Sequence, residues 1–277
     1  MTTTPSTPST AVAPPLVDTH FHVYTRSMPL DGNAWHEPPE DASIERMIRT
    51  LDENGVLFGV MSAASLFGDY NDYTRLAMKR HKRLRGTAIV HPRIDIHTLE
   101  QMRDDGFVGI RFQWRYLPEI PDLKSSEYRL LLRRVADLGW HVQIHDNSPR
   151  LGPVVEQLQQ FGVPVVVDHF GRPDAKLGVN CPGFKQILQC IERGNTWVKL
   201  SAGFRMEPPS LAKEYTSALL KVAGGERLFW GSDWPFAGME DKMSYAQTVA
   251  AFQEWVPDER LRQQIGGATP LKFFFAS

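Results

Sequence analysis

Two cysteines are all that the 277 residues carry, which excludes a disulfide framework as the source of stability. Cys181 and Cys190 fall in one predicted helix, nine positions apart. That spacing separates their Cα atoms by about 13 Å, beyond the reach of a bridge. A reduced, cytoplasmic protein is the expectation. An excess of charge of one sign is also missing, with 31 Lys and Arg against 32 Asp and Glu. No bulk field therefore recruits nucleic acid or an anionic membrane, and any anion site must come from locally gathered arginine. No apolar run is long enough to cross a bilayer. The first 15 residues, rich in Thr, Ser, Pro and Ala, lack the basic and apolar regions of a signal peptide and are expected to form a disordered tail.

What is present is an ordinary globular composition, 42% hydrophobic and 23% charged. No repeat, low-complexity segment or linker divides the chain after the tail, so residues 16–277 are read as one domain. Apolar β-type runs at 16–22, 56–63, 84–90, 107–112, 140–145, 163–169, 196–201 and 228–232 alternate with helical patterns. The helical patterns lie near 41–54, 72–82, 96–105, 126–138, 149–160, 183–193, 210–222 and 243–254. Eight strands separated by helices predict an α/β protein, a (β/α)8 barrel of the TIM type in a single domain. Local signals agree. Asp41 and Ser43 precede the stripe Ile44, Met47, Ile48, Leu51, and Asn54-Gly55 follows it. Ser125 and Ser126 open the helix that Gly139 stops. The run Leu271-Lys-Phe-Phe-Phe is expected to pack on the barrel exterior.

In such a barrel the chemistry gathers at the C-terminal ends of the strands. Strict alternation along the first strand would point Asp18, His20 and His22 one way and Val17, Thr19 and Phe21 the other. The fourth strand ends in Arg111, with Gln113 and Arg115 just after. The fifth ends in His145 and Asp146, and the sixth in Asp168-His169-Phe170-Gly171-Arg172. The seventh leads to Arg205, and the eighth ends in Asp233-Trp234-Pro235. Six strand ends supplying His, Arg or Asp point to one shared site. The long segment at 24–39, carrying Trp35 and His36, is expected to act as a lid or substrate wall. Trp35, Tyr70, Trp114, Tyr116 and Trp234 are candidates for the pocket walls.

The chain resembles the amidohydrolase superfamily, in the lactonase-like branch that includes 2-pyrone-4,6-dicarboxylate hydrolase. The marks of the resemblance are His20-Phe-His22, Gly109-Ile-Arg-Phe, Asp168-His-Phe-Gly-Arg, Lys199-Leu-Ser with Arg205, and Gly231-Ser-Asp-Trp-Pro. It implies a barrel hydrolase that opens a carboxylated lactone or pyrone. It also implies that Asp233 activates water, that His20, His22 and His169 surround the attacked carbonyl, and that Arg111, Arg172 and Arg205 hold substrate carboxylates; Trp234 is expected to contact substrate because it adjoins Asp233. The chemistry is consistent: ester cleavage needs a base near water and a donor where the oxyanion develops. Planar carboxylates suit guanidinium groups. His20, His22, Asp233 and either His145 or His169 would make a zinc set, His145 sitting where the resemblance places a ligand in metal-using relatives, and sites with or without one divalent metal both remain open at this stage. Alternatives are a sugar-acid lactonase or lactone isomerase, and a zinc-dependent decarboxylase of the same superfamily. A barrel that keeps binding but has lost chemistry would be expected to have lost some of these His and Asp residues. The expected partner is a small carboxylated molecule, with neither nucleic acid nor membrane. No sequence feature points to a particular oligomeric state.

Overall fold

A computed structural model describes residues 13–276; residues 1–12 of the expected tail lie outside the described residues. The predicted runs become eight strands: β1 Val17–Phe21, β2 Phe58–Met61, β3 Leu84–Ala88, β4 Phe107–Gln113, β5 His141–His145, β6 Val165–Val167, β7 Thr196–Ser201 and β8 Leu228–Gly231. Neighbours in sequence are neighbours in the sheet, and every pair is parallel. The connecting helices are α1 Ile44–Glu53, α2 Asp72–Arg80, α3 Ile96–Asp105, α4 Ser126–Asp137, α5 Ser148–Gln160, α6 Pro182–Arg193, α7 Leu211–Ala223 and α8 Tyr245–Trp255. The result is a single-domain (β/α)8 barrel. No helix among the described residues is long and apolar enough to cross a membrane.

The caps work as their residue types dictate. Ser43 accepts a hydrogen bond from the Arg46 N–H and Ser125 from that of Tyr128, each satisfying a donor that the first helical turn leaves open. Gly55 and Gly139 follow their helices at φ +70° and +67°, where a side chain would be strained. Cys181 caps α6 rather than lying inside it, and both thiols are buried.

Strict alternation along β1 does not hold. Asp18 pairs with Gly59 and Phe21 with Met61, so three steps on β1 match two on β2. This bulge lets Val17 join the apolar floor of the lumen with Val60, Val166 and Phe229 while His20 and His22 still face the mouth. Asp18 is turned outward instead, and its carboxylate accepts from the Tyr245 hydroxyl of α8 at 2.9 Å and the Ser232 N–H at 3.0 Å.

Those contacts also close the barrel, because β8 meets β1 through individual bonds rather than a full ladder. The Thr19 hydroxyl donates to Trp230 O at 2.7 Å, Asp233 N–H to His20 O at 2.7 Å, and His22 N–H to Trp234 O at 2.9 Å. Gly231 is required at this seam, since a Cβ there would sit 2.5 Å from the Cβ of His20.

The C-terminal run corrects the expectation of an exterior position. After α9 Glu259–Gln263 and a π-helical turn, α10 Thr269–Phe274 brings Phe274 into the floor cluster with Val17, Val60, Val166 and Phe229. Phe273 rests against His141, Trp197 and Phe229. An open lumen end lined by valines is an unfilled apolar hole, and two phenyl rings fill it. Replacing Phe274 by Ala is expected to lower unfolding stability by about 3–5 kcal/mol. Urea denaturation followed by tryptophan fluorescence checks this; an unchanged midpoint would show that the ring is not part of the floor.

Candidate active site

The mouth of the barrel is built from strand-end residues in unusual backbone conformations. His169, Arg172 and Asp233 stand at φ +52°, +44° and +63°. A non-glycine residue there costs about 1–3 kcal/mol, and such geometry persists only where the surroundings enforce it. Here it aims three polar side chains into one space.

At the inner end of that space, three imidazoles converge on one carboxylate oxygen. Nε2 of His20, His22 and His169 lie 3.6, 3.6 and 3.7 Å from Asp233 Oδ1. The other carboxylate oxygen, Oδ2, accepts from Arg205 Nε at 2.8 Å. Burial alone would raise the Asp233 carboxyl, but Arg205 above all outweighs it and holds the group well below the usual carboxylate range. Burial has the opposite effect on the histidines, pushing His20 and His169 well below the usual imidazole value, so both are neutral at pH 7.

Beneath the imidazoles lies a fully buried polar hub. Asp168 accepts from Arg111 Nε and Nη2 at 3.1 and 2.9 Å and from Gln143 Nε2 at 2.8 Å. His20 Nδ1 stands 3.2 Å away and Lys199 Nζ 3.8 Å away. Desolvation would raise this carboxyl too, but His20, Arg111 and Lys199 together keep it well below its ordinary value. Lys199 is lowered to about 8 by burial, which the nearby Asp168 only partly offsets. Its ammonium donates to Thr19 O at 2.7 Å, which ties β7 to the bulged strand.

Above the histidines opens a cavity of about 350 Å³, lined by His22, His145, His169, Arg111, Arg172, Arg205 and Asp233 together with Tyr24, Trp35, Gln113, Arg115 and Tyr116. The segment at 24–39 is indeed a wall, because Trp35 stacks on Tyr116 at 5.8 Å and His36 Nε2 meets Glu240 Oε1 at 2.6 Å. The arginines fall into two classes. Arg111 and Arg205 are engaged by Asp168 and Asp233. Arg115 and Arg172 have no carboxylate partner among the described residues, and burial followed by the neighbouring Arg115 lowers Arg172 to about 10. Such a like-charged pair calls for an anion between the two groups.

Donor atoms suited to a divalent cation are also present. His20, His22 and Asp233 offer ligand atoms all within 4.8 Å of one another, and so do His20, Asp168 and His169. His22 Nδ1 lies 2.8 Å from Ser62 O; a carbonyl can only accept, so Nδ1 carries the proton and Nε2 presents a lone pair. His20 Nε2 is buried with no hydrogen-bond partner among the described residues. The lone pair of His22 Nε2, the unpartnered His20 Nε2 and the Asp233 carboxylate, gathered in one place, fit a cation.

His145, expected as a further ligand, belongs to neither group. It stands across the mouth at the end of β5, its ring 4.8 Å from that of His169, with both nitrogens buried and unpartnered among the described residues. Trp234 does not reach the cavity either. It follows Asp233 but points to the opposite side, where the Arg46 guanidinium lies 5.7 Å from its ring. Trp114 stacks on Phe112 in the core, and Tyr70 is also absent from the cavity wall. Sequence reasoning gave no role to Lys199 or Gln143, although a lysine inside an otherwise apolar strand is a readable signal of a buried partner.

Comparison with known proteins places this geometry. The amidohydrolase family model matches residues 17–276. A 4-sulfomuconolactone hydrolase of Hydrogenophaga intermedia is 26% identical over 93% of this chain and 88% of its own length. A 2-pyrone-4,6-dicarboxylate hydrolase of Comamonas testosteroni is 28% identical over 98% of this chain and 93% of its own. Among solved structures, a probable 2-pyrone-4,6-dicarboxylic acid hydrolase of Acinetobacter baumannii, with citric acid bound, superposes with a TM-score of 0.90. It is 27% identical, and the match covers 94% of this chain and 98% of that one. With its family model matched from the first strand to the last helix, the chain belongs to the amidohydrolase family.

Proposed function

We propose that this protein opens a lactone or pyrone ring bearing anionic substituents, by attack of water on the ring carbonyl. The observation that carries the reading is the convergence of three imidazole Nε2 atoms on Asp233 Oδ1, at the base of a cavity holding two uncompensated guanidiniums. Relatives at similar length that act on a sulfonated lactone and a dicarboxylated pyrone support it.

Asp233 is the base. Arg205 holds Oδ2, which leaves Oδ1 as the oxygen that takes a proton from water. A divalent cation held by His20, His22 and Asp233, zinc being suited to this nitrogen and oxygen set, would supply Lewis acidity to water and ring carbonyl when bound. His169, with Nδ1 at 2.8 Å from the Ser201 hydroxyl, is fixed in orientation and can offer Nε2–H where the oxyanion develops. Arg115 and Arg172 hold the substrate's anionic groups and set the ring over Asp233. Arg111 and Arg205, also expected to hold carboxylates, instead act from behind by fixing Asp168 and Asp233. The reduced thiols and balanced charge are consistent with work in the cytoplasm.

Asp233→Asn is expected to lower kcat on 2-pyrone-4,6-dicarboxylate by about 10²–10⁴-fold. Binding of the same compound, read by calorimetry, should change only slightly, and an active variant would remove Asp233 as the base. Arg172→Gln should raise KM for the dicarboxylate by about 10–100-fold, as loss of a charge-assisted hydrogen bond requires. Its effect on an uncharged lactone should be small; equal losses on both compounds would refute the anchoring role. Chelation should abolish turnover and added zinc restore it, with elemental analysis reading the bound metal. Full activity in metal-free protein would remove the cation from the mechanism.

A further inference from the structure

Ring opening puts charge on a second atom besides the carbonyl oxygen. The ring oxygen takes up the electron pair of the breaking bond and needs a hydrogen-bond donor as it leaves. Of the groups beside Asp233, His22 presents a lone pair at Nε2, His169 serves the carbonyl oxygen, and Arg205 is held by Asp233 Oδ2 and by Ala237 O at 3.0 Å. Tyr24 remains. It lies two residues beyond His22, on the chain that continues β1, and lines the same cavity. Its backbone N–H donates to Ala42 O at 2.9 Å and its ring packs on Phe67 at 5.3 Å, so the side chain is fixed in place. Tyr215 and Tyr245 are the other buried tyrosines among the described residues. The Tyr245 hydroxyl donates to Asp18 Oδ2, and that of Tyr215 is sealed inside the protein. The Tyr24 hydroxyl has no hydrogen-bond partner among the described residues, yet it is not sealed from the cavity that its residue lines. A buried phenol normally finds a partner. Burial, and after it the Glu240 carboxylate, raises this phenol above its usual range against the opposing Arg46, so the O–H is an intact donor at neutral pH.

Resting on the ring-opening reading above, we infer that the Tyr24 hydroxyl is the hydrogen-bond donor to the ring oxygen as it leaves. The order of the strands sets the direction in which the substrate lies. In a ring of eight strands β1 stands opposite β5, and the two uncompensated guanidiniums follow β4 and β6, the strands that flank β5. A lactone held there by its anionic group turns its far edge to β8 and β1, the strands that lead to Asp233, His22 and Tyr24. In a six-membered lactone the atom opposite the 4-position is the ring oxygen, so a 4-carboxylate held by Arg115 and Arg172 points that oxygen toward β1. The step balances without proton loss from the phenol. The water oxygen bonds to the carbonyl carbon as one of its protons passes to Asp233 Oδ1. The bond from that carbon to the ring oxygen then breaks, and its electron pair stays on the ring oxygen under the Tyr24 O–H. The proton on Asp233 moves to the same oxygen, and the new carboxylic acid releases its own proton to solvent.

The test compares the native protein with Tyr24→Phe, which removes one oxygen atom and keeps the ring against Phe67. The substrates are 2-pyrone-4-carboxylate, whose ring oxygen leaves as a stabilised enolate, and its 5,6-dihydro counterpart, whose ring oxygen leaves as a more basic alkoxide. A donor to the leaving oxygen matters more for the second compound. Tyr24→Phe should therefore lower kcat on the dihydro compound by about 10²–10³-fold, as loss of a donor to a developing oxyanion does. On the pyrone the fall should be about tenfold or less. Kd for both compounds, read by calorimetry with Asp233→Asn and with the Asp233→Asn/Tyr24→Phe double variant, should agree within about twofold, because the donor acts on charge that only the transition state carries. An unchanged kcat, an equal fall on both compounds, or a Kd weakened in step with kcat/KM would overturn the assignment while leaving ring opening in place. If the native protein opens neither compound, the ring-opening reading fails and takes this assignment with it.

Discussion

The buried carboxylate of Asp168 is the constraint on which the rest of the barrel depends. Two buried cations, Arg111 and Lys199, lie against it, together with the Gln143 amide and His20. Removing a partner from such a cluster leaves uncompensated charge in a low-dielectric interior, which is far more costly than never having built it. The cluster therefore locks β1, β4, β5 and β7 to the end of β6 at one depth. Above that depth His22, His145, His169, Asp233 and the arginines line the cavity, and below it Val17, Val60, Val166, Phe229 and Phe274 form the floor. His20 belongs to both zones, with Nδ1 toward Asp168 and Nε2 toward Asp233, so the depth of the hub sets the height of the imidazoles.

The same logic divides the arginines. A guanidinium beside a buried carboxylate is already satisfied and serves to shape the site, whereas one without such a partner leaves its charge open to the cavity. Arg111 and Arg205 are of the first kind, Arg115 and Arg172 of the second. Arg205 does two things at once, since it keeps Asp233 ionised and selects which of its oxygens faces the cavity. This coupling of electrostatics and orientation leaves Asp233 Oδ1 as the oxygen turned toward the imidazoles.

Much of this was legible in the residues before any coordinates. Each strand and inter-strand helix lay within a few residues of its expected bounds, because apolar runs and caps such as Ser43 and Ser125 are local signals. Strand-end position also brought His20, His22, His169, Arg111, Arg172, Arg205 and Asp233 to one mouth. What could not be read were properties of pairs distant in the chain. The bulge in β1 depends on registry with β2 and on the acceptor that Asp18 offers to Ser232, so simple alternation misplaced Asp18. Phe274 looks like a surface aromatic until the lumen floor is seen to need filling. Trp234 was expected in the cavity because it adjoins Asp233, yet the backbone turn that aims one aims the other away. His145 ends the right strand, but β5 lies across the barrel from the seam where the other candidate ligands meet.

The seam between β8 and β1 has a consequence for how the chain reaches its native state. The Thr19 to Trp230 bond joins residues 211 positions apart, and Phe274 packs in the lumen floor against Val17 of the first strand and Phe229 of the last. Contacts of such long sequence separation are slow to form, because loop closure must precede any gain from them. During synthesis, the histidines of the opening strand emerge long before Asp233 exists to meet them. An arc of seven strands then has two open edges, those of β1 and β7, until the last fifth of the polypeptide supplies β8, so assembly of the site and completion of the barrel coincide in a single late event.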